Sequence, residues 1–192
     1  MKVNIVKIAA AISTLALIVG VEAVADTSKD MFRLMKSGGH VLMLRHAYAP
    51  GTGDPENFKI GDCSTQRNLD AQGRSQAIRI VKRLQEKGIR SARVFSSQWC
   101  RCIETAEALG LGPVAELPSL NSFFERPQDR EPNLNALKAF LSTQSTHGGL
   151  IILVTHFVTI SAITGEGVGS GEGFVLRLAP KGNLKVIGRL AL

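Results

Sequence analysis

The chain has 192 residues, enough for one ordinary domain. At 44% hydrophobic and 20% charged residues it has the balance of a soluble globular protein, which excludes collagen, coiled coil and extended disorder. A net charge of +7 favours anionic partners, while one Trp and one Tyr supply too few aromatics to stack single-stranded nucleic acid, and four His with three Cys make no zinc-finger framework.

Lys2 and Lys7 precede an apolar run from Ile8 to Val19, and Ala23-Val24-Ala25 places small residues where a signal peptidase reads. The pattern predicts a secretory signal over residues 1–25, cut after Ala25, and a single domain over 26–192. The apolar run is short against the ~20 residues of a membrane span, so no stable membrane insertion is expected after cleavage. The mature protein is expected to be periplasmic or secreted. An oxidising compartment favours a disulfide. Cys100 and Cys102 are too close in sequence to pair comfortably, so Cys63 with one of them is expected. The bridge reads as structural, because there is no C-x-x-C.

Val41-Leu42-Met43-Leu44 is a continuous apolar run that predicts a buried strand ending at Arg45-His46. Residues 48–68 read as a long loop, and a loop of that length in a compact domain is usually functional. Asp70 starts a helix to about Glu86, with Ala77, Val81 and Leu84 at helical spacing and a solvated basic stripe from Arg74 to Lys87. Residues 92–96 predict a second strand, about Gln98 to Leu109 a helix, and Val114 to Leu117 a short strand. Residues 121–133 read as a polar loop and Leu134 to Ser142 as a helix. Leu150 to Val154 is the most apolar strand, ending at Thr155-His156 before a short helix near Phe157 to Ile163. Residues 165–173 form a Gly-rich loop. Phe174 to Leu178 and Leu184 to Leu190 read as a closing hairpin. Strands alternating with helices predict an α/β protein: a three-layer α/β/α sandwich around a mostly parallel sheet.

Such sheets bind ligands at the carboxyl ends of their strands. Arg45-His46, Ser96-Ser97 leading to Arg101, and Thr155-His156 all fall there. Arg presents a planar fork that matches phosphate oxygens. A neutral His can attack phosphorus, and a protonated one can stabilise the transferring oxygens. No metal or other cofactor is expected, since neither His stands at a paired-ligand spacing or beside a carboxylate.

These residues resemble the histidine phosphatase superfamily, with its phosphoglycerate mutase-like fold. Leu44-Arg45-His46-Ala47 is similar to the family's first signature, and Ser96-Ser97 with Arg101 and Thr105-Ala106 to its second. Val154-Thr155-His156 is similar to its third, and Asn68 to Ala77 resembles a further family segment. The resemblance implies that His46 becomes phosphohistidine, that Arg45, Arg101 and His156 bind the phosphoryl group, and that water hydrolyses the intermediate. Small exported bacterial members, some acting on lipopolysaccharide core phosphate, are the nearest likeness.

Two positions depart from the family. Ala47 stands where Gly is usual, and Leu120-Asn121 is followed by Ser122 rather than a Glu proton donor. Glu125 is the expected general acid, with Asp129, Glu131 and Glu172 as alternatives. The function expected is an exported, metal-independent phosphomonoesterase acting on a small-molecule or glycan phosphate ester, with the cell envelope as its setting. The alternative is a catalytically weak protein of the same fold that binds phosphate or a phosphorylated glycan. No basic patch interleaved with aromatics marks a nucleic-acid partner.

Overall fold

The computed structural model describes residues 30–192. The expected signal over 1–25 lies outside them. Residues 30–36 are helical (α1). There follow β1 (His40–Arg45), α2 (Ala71–Glu86), β2 (Arg93–Ser96), α3 (Cys100–Leu109) and β3 (Val114–Glu116). The chain ends with α4 (Arg130–Ser142), β4 (Ile151–Thr155), α5 (Phe157–Thr164), β5 (Glu172–Leu178) and β6 (Leu184–Ala191).

The six strands form one sheet in the order β3-β2-β4-β1-β5-β6. The first four in that order are parallel, while β5 and β6 join as the expected antiparallel hairpin. Alternation along each strand separates two cores. Leu42, Leu44, Ile152 and Val154 pack against Phe32, Ile80, Leu84 and Ala106 on one face. Val41, Met43, Ile151 and Leu153 pack against Leu137, Leu141 and Ile160 on the other. Helices α1, α2 and α3 thus cover one face and α4 and α5 the other, which is the three-layer α/β/α sandwich. Because β1 and β4 are covered on both sides, they read as unbroken apolar runs.

Helix α4 starts at Arg130, inside the segment expected to be loop, and not at Leu134. Pro132 in that segment reads as a breaker. In the first turn its missing N–H would have had no intrahelical partner anyway, so it is tolerated. Helix α3 starts two residues later than expected. Gln98 N–H donates to Asn121 Oδ1, and Trp99 is extended at φ −72°, ψ 133°.

Register brings the strand ends together. Arg45 pairs with Thr155, and Ser96 with Val154, across the adjacent strands β1, β4 and β2. His46 N–H donates to the Thr155 carbonyl and Ser97 N–H to the Val154 carbonyl. Arg45-His46, Ser97 and His156 therefore leave the sheet side by side.

Candidate active site

The strand ends open into a cavity of about 410 Å³. Arg45, His46, Arg67, Arg101 and His156 line its floor, with Asp54, Phe58 and Trp99 on the wall. Phe124, Glu125 and Glu56 stand at the exposed mouth.

His46 is buried and its Nδ1 lies 2.7 Å from the Ala47 carbonyl. A carbonyl only accepts, so Nδ1 carries the proton and Nε2 keeps its lone pair. Burial, then the Arg101 charge, push the imidazole down to about 3. His46 is therefore neutral at physiological pH. The segment after it is held by α3 and α2, and the α2 residue is itself braced. Ala47 N–H donates to Thr105 Oγ1, Tyr48 N–H to Gln76 Oε1, and Gln76 Nε2 to the Ser170 carbonyl. Gly73 lets α2 approach this segment, since a Cβ there would meet the Tyr48 carbonyl at 1.9 Å. The Ala47 methyl packs in a small cluster with Ala49, Leu69 and Ala77.

His156 is the N-cap residue of α5, and its ring meets that of His46 edge to face at 5.6 Å. Its Nε2 lies 2.8 Å from Ser97 Oγ. Ser97 also reaches Asn121 Oδ1 at 3.2 Å, so its single proton goes to one partner or the other and the His156 tautomer follows. Burial, then His46 and Arg101, hold His156 well below the usual histidine range.

The arginines are only partly satisfied. Arg45 Nη1 donates to the Val168 carbonyl at 2.8 Å. Arg101 donates to Asp54 and to the Arg67 carbonyl. The Nε of each is buried without a partner among the described residues. Two orphaned donors on arginines that line the same cavity as His46 suit an anion, because an unpaired buried N–H is costly.

Of the candidate acids, Glu125 lines the cavity mouth and its Oε1 accepts the Asp54 N–H at 3.3 Å. Asp129 precedes α4, Glu131 pairs with Arg130, and Glu172 pairs with Arg189 and accepts the Gly169 N–H. None of those three lines the cavity. The bridge joins Cys63 to Cys100 and leaves Cys102 free and buried. It ties the long loop to the first residue of α3, beside Arg101.

Three charged cavity residues of the long loop were not foreseen in the sequence. Arg67 donates to the Gly53 and Ala49 carbonyls and braces the loop. Asp54 is ion-paired with Arg101, and Glu56 stands at the mouth. The only hint of them was the length of the 48–68 loop.

Residues 41–126 match the family model described as the histidine phosphatase superfamily (branch 1). The chain has the histidine phosphatase fold. The resemblance read from the motifs is borne out, although His156 lies beyond the matched segment. The solved protein histidine phosphatase SixA complexed with tungstate superposes with TM-score 0.57 at 16% identity, covering 79% of this chain and 96% of that one. The putative phosphohistidine phosphatase SixA from Agrobacterium tumefaciens gives 0.55 at 21% identity, covering 80% and 99%. The product of open reading frame Rv3214 from Mycobacterium tuberculosis gives 0.53 at 17%, covering 77% and 94%. No curated protein matches the chain.

Proposed function

We propose that this histidine phosphatase fold is a phosphomonoesterase working through phosphohistidine on His46, without a metal. The observation that carries the reading is the neutral His46, its proton fixed on Nδ1, facing a cavity where Arg45 and Arg101 each keep an unpartnered Nε. His46 Nε2 attacks phosphorus, and the bond from phosphorus to the leaving oxygen breaks as Glu125 gives that oxygen a proton. Arg45, Arg101 and His156 hold the phosphoryl oxygens. The arriving dianion raises the pKa of His156, so that His156 takes up a proton and donates to it. Water then attacks phosphorus, giving a proton back to the Glu125 carboxylate, and the bond from phosphorus to Nε2 breaks, releasing phosphate and restoring both His46 and the Glu125 acid. That the SixA structure holds tungstate, a tetrahedral oxyanion, agrees with an oxyanion site in this fold.

The reading extends to an exported enzyme acting on a cell-envelope phosphate ester, supported by the Lys-flanked apolar run before Ala25 and by the Cys63–Cys100 bridge.

The test is hydrolysis of p-nitrophenyl phosphate in EDTA by the chain from Asp26, wild type against His46→Ala. Turnover that survives EDTA, is lost with His46, and leaves an acid-labile phosphoryl-enzyme on rapid quench is expected. Absence of turnover with phosphate binding retained would overturn the enzyme reading in favour of a phosphate- or glycan-phosphate-binding protein.

A further inference from the structure

Asp54 is a loop residue whose carboxylate is buried against the phosphate-binding machinery. It meets Arg101 through two bonds, Nη1 to Oδ1 at 2.8 Å and Nη2 to Oδ2 at 3.1 Å. Both side chains are nearly inaccessible, at 4% for Arg101 and 7% for Asp54. Two further donors hold the carboxylate in place: Trp99 Nε1 at 2.9 Å and the Arg67 backbone N–H at 3.0 Å. With four donors on two oxygens, Asp54 has little freedom to move. Burial alone would raise its pKa, but the Arg101 and Arg67 hydrogen bonds hold it below the usual carboxylate range.

The donors of Arg101 are unevenly engaged. A guanidinium has five N–H groups and more than one edge able to meet an anion with two parallel bonds. Asp54 takes the terminal edge, Nη1 with Nη2. Nη1 donates its second proton to the Arg67 carbonyl at 3.1 Å. The side edge, Nε with the second Nη2 proton, is left over, and Nε is buried without a partner among the described residues.

We propose that Asp54 is a positioning residue: by holding the terminal edge of Arg101 it turns the Nε–Nη2 edge to the phosphoryl oxygens beside His46. It acts through Arg101 and does not touch the substrate. The proposal rests on the phosphatase reading, but its test has a readout that does not need turnover.

The experiment is a double-mutant cycle of Asp54→Asn and Arg101→Ala on the disulfide-bonded chain. Inorganic phosphate binding is measured by calorimetry, and hydrolysis with one aryl and one alkyl phosphate. Asp54→Asn is expected to weaken phosphate binding and to lower kcat/KM by about 10²-fold, equally for both esters. In the Arg101→Ala background it is expected to cost nothing further. Losses that multiply, a loss confined to alkyl esters, or tighter phosphate binding in Asp54→Asn would each overturn the proposal. The last would make Asp54 a competitor of the oxyanion. Asp54→Glu keeps the charge while displacing the fork, and it carries the same cycle if Asp54→Asn fails to fold. If wild type binds phosphate but turns over neither ester, the phosphatase reading fails while the binding cycle still decides the role of Asp54. If wild type binds no phosphate, both fail.

Discussion

At His46, burial and hydrogen bonding pull in opposite directions. Burial and the arginine charges drive the imidazole towards neutrality, while the Ala47 carbonyl favours the protonated ring, and burial prevails. The unfolded chain has no such burial and ionises near pH 6.5. Between about pH 6.5 and 3 the unfolded state therefore binds a proton that the folded state refuses. Stability must fall as pH falls through that window, by about 1.4 kcal/mol per unit where His46 is the only group concerned. His156 acts in the same direction. Urea unfolding of the ligand-free chain between pH 7 and 5, where most carboxylates stay ionised, is expected to show this slope. The slope should shrink in His46→Asn, and identical slopes would show that His46 is not buried neutral. Glu125 has a separate signature. A general acid matters most for a poor leaving group, so Glu125→Gln should slow alkyl phosphates by about 10²-fold and aryl phosphates far less. Equal slowing would move the role to Glu56, the other glutamate at the mouth. The four residues read from the motifs were legible because strand ends converge in any parallel sheet. Asp54 was not, because an Asp between Gly53 and Pro55 reads as turn chemistry, and its partner lies 47 residues away.

Among the elements, α2 shows how far local preference can mislead. Its N-cap Asp70 and apolar spacing were legible, and the Asp70 side chain does accept the Gly73 N–H. Gly inside a helix costs ~1 kcal/mol relative to Ala, so helix propensity predicts that Gly73→Ala stabilises. The packing predicts the opposite. A methyl at Gly73 would meet the Tyr48 carbonyl at 1.9 Å and push the helix away from the segment that follows His46. Gly73→Ala is expected to lose about 1–3 kcal/mol and to lower activity as well. Thermal unfolding with parallel turnover measurements reads both, and a stabilised, fully active variant would contradict the packing. The long loop illustrates the same limit. Its length pointed to function, but only the Cys63–Cys100 bridge and the contacts of Arg67 show how a Gly-rich segment becomes a rigid wall. Cys63→Ser is expected to cost about 2–4 kcal/mol by releasing that loop. It should also raise KM more than it lowers kcat, because the loop faces the substrate and His46 is held from elsewhere. A mutant with unchanged KM would place the bridge outside the binding function.

For the whole molecule, charge and covalent linkage point the same way. The chain carries +7 overall, and the cavity floor sets Arg45, Arg67 and Arg101 against the buried carboxylate of Asp54, while Glu56, Glu125 and Arg126 also line the cavity. An anion is thus attracted at long range and again at contact. A disulfide beside that cavity persists only where thiols are oxidised, and the apolar run before Ala25 would deliver the chain to such a compartment. The two features are independent in sequence, so the export reading can be tested on both at once. Expressed in full in a bacterial host, the protein is expected in the periplasmic fraction with Asp26 as its first residue. Thiol titration in denaturant should then find one free cysteine per chain, Cys102, and no reaction before denaturation, because that thiol is fully buried and burial pushes its pKa up to about 12. An uncut, active protein retained in the cytoplasm with all three thiols free would overturn the export reading. It would also remove the bridge from the working enzyme, leaving Arg67 and Gln66 to hold the loop against α3 by hydrogen bonds and Asp54 by its ion pair with Arg101.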